Sequence, residues 1–452
     1  MTNQYDVVIV GAGSAGTLAA KTTAKAGLTT LLIDSKKRDF IGNKICGDAI
    51  GGHHLVKLGL KNPNNGAFEH KVKGLKIYSP NKETAFTFTR PDSMGYILNR
   101  HLFGQWLLKN ALDSGADLLD STMFMDPIIE HGSIRGIRAK DTQGNLISIK
   151  AKVVVDASGY YGVVRNKLSP EMGFEGNLEK EDVDVCYREI RQLEHEMDDT
   201  NYCHIYLNQS NSPGGYTWIF PRKNGQVNAG LGVNLQENIN PRKRFYKTIE
   251  TLPMFKNSKI IHKGGGLEPT RRPLDRLVGN GVVLVGDAAS LVNPINGGGL
   301  GISMESGLYA GQAIINSLEN GEATAESLWS YSCKIMQTYG KELANLDVLR
   351  KCLISIDDKY LDYGMKHNLV SEDDLNRASD GKNVPSNIQR NIIRVVKGLR
   401  HPRLLNKLRL TTGLMQQVLS HYENYPKSPD DFTKWRGKTI NLIDQVRIRL
   451  HK

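Results

Sequence analysis

The chain has no apolar run near the roughly 18 residues needed to cross a bilayer, and nothing before Tyr5 resembles a signal peptide. The expectation is a cytoplasmic protein. Cysteine is scarce: Cys46, Cys186, Cys203, Cys333 and Cys352 are scattered, odd in number and without metal-type spacing. That argues against a metal site and against a disulfide framework, although a single Cys333–Cys352 bridge is left open. Internal repeats and low-complexity linkers are also missing. What remains is globular: 452 residues, 39% hydrophobic and 23% charged, enough for roughly two or three domains. Acidic residues are thin at one end. From Gln389 to Lys452 there are 14 Lys and Arg against 4 Asp and Glu, most of the net charge of +12. An anionic partner (lipid head groups or nucleic acid) and a solvated helical face both fit that excess.

The N-terminus organises what is present. Tyr5 to Val10 is a short β-branched run of buried-strand length, and it enters Gly11-Ala12-Gly13-Ser14-Ala15-Gly16. A helix over 15–25, a Gly27 stop and a second strand ending at Ile33-Asp34 follow. Gly11 suits the tight turn, Gly13 lets a pyrophosphate approach the backbone, and Gly16 lets the helix pack on the strand. Asp34 falls 18 residues past Gly16, placed to accept hydrogen bonds from a ribose. A carboxylate there disfavours a 2′-phosphate, so the site suits FAD or NAD rather than NADP.

Further along, Lys44 to Gly52 is a loop of small residues in which Cys46 either touches a redox cofactor or fills space. Alternating apolar positions between Val72 and Phe88 read as antiparallel strands. Arg100 opens a helix over 101–114, as a pyrophosphate ligand or as ordinary surface. A strand over 116–125 and a hairpin over 128–140 turning at Gly132 come next, then the buried strand Val153 to Asp156 before Ala157-Ser158-Gly159. From Asp184 to Leu235 the pattern is all-β. Within it Tyr216, Trp218 and Phe220 alternate, which puts them on one strand face as an aromatic wall or as plain core. Val282 to Asp287 returns to the first domain, and Pro294 to Gly301 is a glycine-rich entry to a helix over 301–319. Asp287 suits a ribityl or ribose hydroxyl, and the helix start can aim amide dipoles at a flavin, a use that an NAD enzyme lacks. Residues beyond Gly321 read as helical. Pro402 to Leu410 mixes Leu with basic residues, for a membrane surface or for packing on the body.

With these motifs assembled, the chain resembles the flavoprotein geranylgeranyl reductases, within the group that includes p-hydroxybenzoate hydroxylase. Lys44-Ile45-Cys46-Gly47 and the Pro-x-x-Tyr-x-Trp-x-Phe-Pro motif from Pro213 to Pro221 carry the family likeness. The basic character is similar to archaeal members, which saturate the geranylgeranyl chains of ether lipids. The resemblance implies an α/β fold with three regions. A Rossmann-like FAD-binding domain spans 1–68, 97–165 and 273–330, an antiparallel β-sheet substrate domain spans 69–96 and 166–272, and a helical region spans 331–452. It places FAD on Ala15, Gly16, Asp34, Cys46, Gly47, Ala49, Arg100, the backbone of Phe124, Asp287, Gly299 and Leu300, to which the glycine pattern itself adds Gly11 and Gly13; no metal is expected. It places the prenyl chain along Pro213, Tyr216, Trp218 and Phe220. Hydride from reduced FAD and a proton from Cys46, Tyr216 or water would saturate the alkene. NAD(P)H or reduced ferredoxin would supply electrons. The implied partners are a prenylated lipid and, peripherally, a membrane, with no nucleic acid. A flavin monooxygenase and a non-redox prenyl carrier are the competing classes.

Overall fold

The computed structural model describes residues 4–89, 94–168, 170–369 and 401–450, so 389–400 of the basic tail lie outside the described residues. Gln4–Val10 is the central strand of a parallel sheet. Thr30–Ile33 lies on one side of it and Leu146–Asp156 on the other. Asp117–Leu119 and Val282–Leu284 extend the two edges. The strand Gln4–Val10 is almost wholly buried, which is why it reads as a continuous apolar run. Register aligns Val10 with Ile33 and Asp156, and Asp156 with Leu284, so the chain leaves all four strands at one edge. Gly11, Asp34, Ala157 and Gly286-Asp287 therefore gather there, the edge where such sheets bind ligands.

Two helices cross above this edge. Ser14–Lys25 packs on Leu300–Glu319 through Gly307, where a Cβ would fall 2.1 Å from the Ala15 carbonyl oxygen, and through Gly311, where one would fall 2.7 Å from Thr22 Cβ. Arg100–Asp113 is capped by the Asn99 side chain, which accepts from the Leu102 amide. The strand expected over 116–125 is broken. Asp117–Leu119 and Met123–Glu130 are separate because Ser121 takes a left-handed φ of 51° between them. The hairpin Met123–Glu130 with Ser133–Lys140 turns at His131 and Gly132, both at positive φ, as a two-residue turn requires.

The second sheet has seven strands, in the order Lys259–Pro269, Val183–Gln192, Gln226–Asn234, Thr217–Pro221, Tyr202–Tyr206, Gly74–Tyr78, Ala85–Thr89. It is antiparallel except for one pair: Tyr202–Tyr206 runs parallel to Gly74–Tyr78. No short turn joins those two segments, so nothing forces them to oppose. One face packs on the helix Pro241–Ile249 through Tyr187, Ile219, Leu231, Val233 and Phe245. The Lys259–Pro269 strand lacks apolar alternation, since its centre is Gly264-Gly265-Gly266, and was not expected from the sequence.

Beyond Gly321 the described chain is helical: Trp329–Ile335, Lys341–Ile354, Asp358–Lys366, Pro402–Glu423 and Phe432–Leu450. In Pro402–Glu423, Leu404, Thr411, Leu414, Val418 and Tyr422 form one buried stripe against the body, while Arg403 and Arg409 are exposed. Leu404, Leu408 and Leu410 of the 402–410 segment thus pack inward. All five cysteines are free, which removes the Cys333–Cys352 bridge. Among the described residues no helix is long and apolar enough to cross a membrane.

Candidate active site

At the strand edge, Gly11 adopts φ +108° and donates its amide to the Ile33 carbonyl at 2.8 Å. A Cβ on Gly11 would meet the Ala157 carbonyl oxygen at 2.4 Å, and one on Gly16 would meet the Gly11 carbonyl oxygen at 1.9 Å. Gly13 faces open space, with no atom within 4 Å of where its Cβ would be. That opening lies at the N-terminus of Ser14–Lys25, where unpaired amides and the helix dipole favour an anion. Ala15 is buried in the helix's first turn. Asp34 accepts from the amides of Ala12 and Lys36, each at 2.9 Å, and so spans the glycine turn and the end of the second strand.

Arg100 supplies the test of fit for a pyrophosphate. Arg100 is 8% exposed, and its buried Nε and Nη1 have no hydrogen-bond partner among the described residues. A buried, unsatisfied guanidinium is costly, and a phosphate pair is the ligand class that fills its planar fork. Phe124 is a core side chain whose strand begins just after Thr122, and the Thr122 amide donates to the Asp34 carbonyl at 2.8 Å.

Asp287 sits in the turn Gly286–Ala289 and is paired with Lys44 Nζ at 2.8 Å. The Asp287 carboxylate raises the Lys44 pKa, against the cost of burial. Gly299 caps the helix that begins at Leu300, with its Cβ position 3.5 Å from Asp287 Oδ1. The 44–49 loop closes over this corner. Cys46 Sγ lies 3.1 Å from Asp48 Oδ1, and burial followed by the Asp48 charge pushes the thiol pKa to about 11. Gly47 rests on the Phe220 ring, 2.8 Å from its Cβ position, and Ala49 is exposed at the head of a short strand.

On the second sheet, Tyr216, Trp218 and Phe220 share one face. Their rings follow one another with centroids 6.1 and 6.5 Å apart. Trp218 and Phe220 are buried among Val72, Ile97 and Ile205, so they are core as well as wall; Tyr216 is half-buried. The Tyr216 hydroxyl donates to the Asn296 carbonyl at 2.6 Å, tying the aromatic strand to the Pro294–Gly301 segment. Burial, then the nearby Glu268 charge, raises its pKa well above the ordinary tyrosine value. Pro213 turns the chain into this strand, its carbonyl accepting from the Asn234 amide at 2.9 Å.

Several residues of this corner were not singled out from the sequence. Asp48 is 2% exposed at φ 65° and takes Arg222 Nη1 and Asn228 Nδ2, both at 2.8 Å. Arg188 Nε donates to the Cys46 carbonyl at 3.3 Å. The signal for them was the alternation Asn228, Gly230, Gly232, Asn234, in which one strand face carries no bulk. Such a face marks close approach, and here the Trp218 ring lies over Gly230 and the Ile45 side chain over Gly264.

Residues 182–267 match the geranylgeranyl reductase catalytic domain, and 6–70 match the glucose inhibited division protein A family. The chain is 37% identical over 445 residues to a digeranylgeranylglycerophospholipid reductase of Sulfolobus acidocaldarius, covering 98% of both. The chain belongs to the digeranylgeranylglycerophospholipid reductase family. A second family member, from Methanothrix thermoacetophila, is 33% identical over 81% of this chain and 92% of its own. Among solved structures, a geranylgeranyl bacteriochlorophyll reductase-like protein of Thermoplasma acidophilum superposes with a TM-score of 0.76 at 24% identity, covering 90% of this chain and 99% of its own. A flavin-dependent brominase gives 0.67 at 20% identity, covering 84% of this chain and 94% of its own, which places the family in the wider flavin-dependent oxidoreductase fold.

Proposed function

We propose that this protein uses FAD to reduce the isolated C=C bonds of geranylgeranyl chains in archaeal ether-lipid precursors. The observation that carries the reading is the join between Tyr216 and Asn296, where an aromatic wall meets a glycine-rich helix entry. Gly11, Gly13, Ala15, Gly16 and Arg100 would hold the pyrophosphate, and Asp34 the ribose. The backbone of Phe124 would border the adenosine side. Asp287 would hold the ribityl chain, while Gly299, Leu300 and the loop of Cys46, Gly47 and Ala49 would border the ring. The cofactor, when bound, supplies a hydride.

The chain's own residues do the rest. Pro213, Tyr216, Trp218 and Phe220 line the path of the prenyl tail, excluding water and burying apolar surface at about 0.8 kcal/mol per methylene. Repeating isoprene units let successive double bonds reach one position. The polar head stays outside near basic residues, in peripheral contact with a cytoplasmic membrane face. NAD(P)H or reduced ferredoxin supplies the electrons. In the test, protein reconstituted with FAD is reduced anaerobically and mixed with a geranylgeranyl lipid. Return of the oxidised-flavin absorption band on mixing supports the reading, and a band that returns only on admitting oxygen contradicts it.

A further inference from the structure

In the edge ladder of the second sheet, Glu268 pairs with Asp184 and Gly266 with Cys186. Across the next ladder Asp184 and Cys186 oppose Asn234 and Gly232, and Trp218 opposes Gly230. Residues directly opposite share a face. Glu268 therefore projects on the face that carries Tyr216, Trp218 and Phe220, across a floor of glycines. It is half-buried, and its carboxyl reaches the glycine-rich helix entry, because a Cβ on Gly297 would lie 2.7 Å from Oε1. Gly297 follows Asn296, the acceptor of the Tyr216 hydroxyl, so the carboxyl stands where wall and entry meet.

The titratable groups near Glu268 come from four other elements. Asp184 and Cys186 face it from the neighbouring strand, Asp287 from its turn, and Lys44 from the loop; Cys186 Sγ lies 3.8 Å from Oε1. Tyr216 is also near enough to feel its charge. Lys44 is committed to Asp287, and among the described residues no Lys or Arg forms an ion pair with Glu268. Burial, then Asp184 and Asp287, push its pKa to about 8, so the carboxyl keeps its proton at neutral pH. The Cys46 thiol and the Tyr216 phenol are both weaker acids here.

We propose that Glu268 is the acid that protonates the alkene, an assignment that rests on the reductase reading. Hydride addition alone to an isolated alkene would leave an unsupported carbanion, so proton transfer must accompany it. The π bond breaks, one carbon takes the hydride of reduced FAD, and the other takes the Glu268 proton. FAD is left oxidised, the prenyl unit reduced, and Glu268 ionised until water returns its proton.

The test uses full-length protein with FAD and the isosteric Glu268→Gln variant. The variant should bind FAD and lipid as the parent does and reoxidise reduced flavin with lipid about 100-fold more slowly or worse. The parent rate should fall tenfold per pH unit above about pH 8, and the variant should lack that limb. In flavin-free protein, infrared difference titration should show a carboxylic acid band lost near pH 8, absent from the variant. Equal rates in the two proteins, or a parent with no carboxyl titrating in that region, overturn the assignment; the second holds even if the variant does not fold. A parent that never reoxidises with lipid overturns the reductase reading itself.

Discussion

Asn228 accepts the indole N–H of Trp218 at 2.9 Å and, through its amide nitrogen, donates to the Cys46 carbonyl at 2.9 Å. One buried side chain thus sets the aromatic wall and the small-residue loop in register with each other. Asn228 belongs to a strand whose next two positions on the same face are Gly230 and Gly232.

Asn228→Ala should leave the Trp218 N–H and the Asp48 carboxylate short of a buried partner. The expected cost is about 3 kcal/mol, with FAD still bound and fewer double bonds reduced per chain. Urea unfolding and product masses check both. A variant of parental stability and product pattern would mean that the bridge contributes nothing.

Arg100→Met should weaken FAD binding by roughly 10- to 100-fold, the loss of charge-assisted hydrogen bonds worth about 1.5–3 kcal/mol. Arg100→Lys keeps the charge but not the fork, and should recover only part of it. Fluorescence titration of FAD into apoprotein measures this. Unchanged affinity in both variants removes Arg100 from the pyrophosphate site.

Glu305 gives a pH prediction. Burial opposes its charge, but hydrogen bonds from His54 at 2.7 Å and from Lys57 outweigh that and hold its pKa at about 2, below the ordinary 4.5. Because the folded value is depressed, the stabilisation is complete above pH 4.5 and is lost as pH falls toward 2. It is on the order of 3 kcal/mol. Glu305→Gln should flatten the acid limb of stability against pH in that window; an identical limb in parent and variant refutes the linkage.

Gly307→Val should separate the two helices above the strand edge, since even a Cβ there would meet the Ala15 carbonyl oxygen at 2.1 Å. The expected outcome is a loss of about 1–3 kcal/mol together with weaker FAD binding. Calorimetry of apoprotein and a FAD titration report the two effects separately.

The first strand, its glycine turn and Asp34 were legible because each answers to a local rule: a buried parallel strand is apolar throughout, and a dinucleotide turn needs glycine at fixed steps. The aromatic strand was legible in its period of two, but not in its burial, since Trp218 and Phe220 serve as core and wall together. Arg100 was ambiguous in sequence because burial, which makes its unpaired nitrogens informative, is a tertiary property. Lys259–Pro269 was missed for a related reason. Its glycines accept the Ile45 side chain from a distant loop, and close approach leaves no hydrophobic pattern to read.

The most direct measurement of the central claim is the mass of the lipid product. Chemically reduced, FAD-loaded protein is incubated anaerobically with a geranylgeranyl lipid, and parent and Trp218→Ala proteins are compared. The account predicts gains of two hydrogens per double bond, several bonds per chain for the parent, and a truncated series for the variant. A lipid of unchanged mass, or one that gains oxygen when air is admitted, would contradict it.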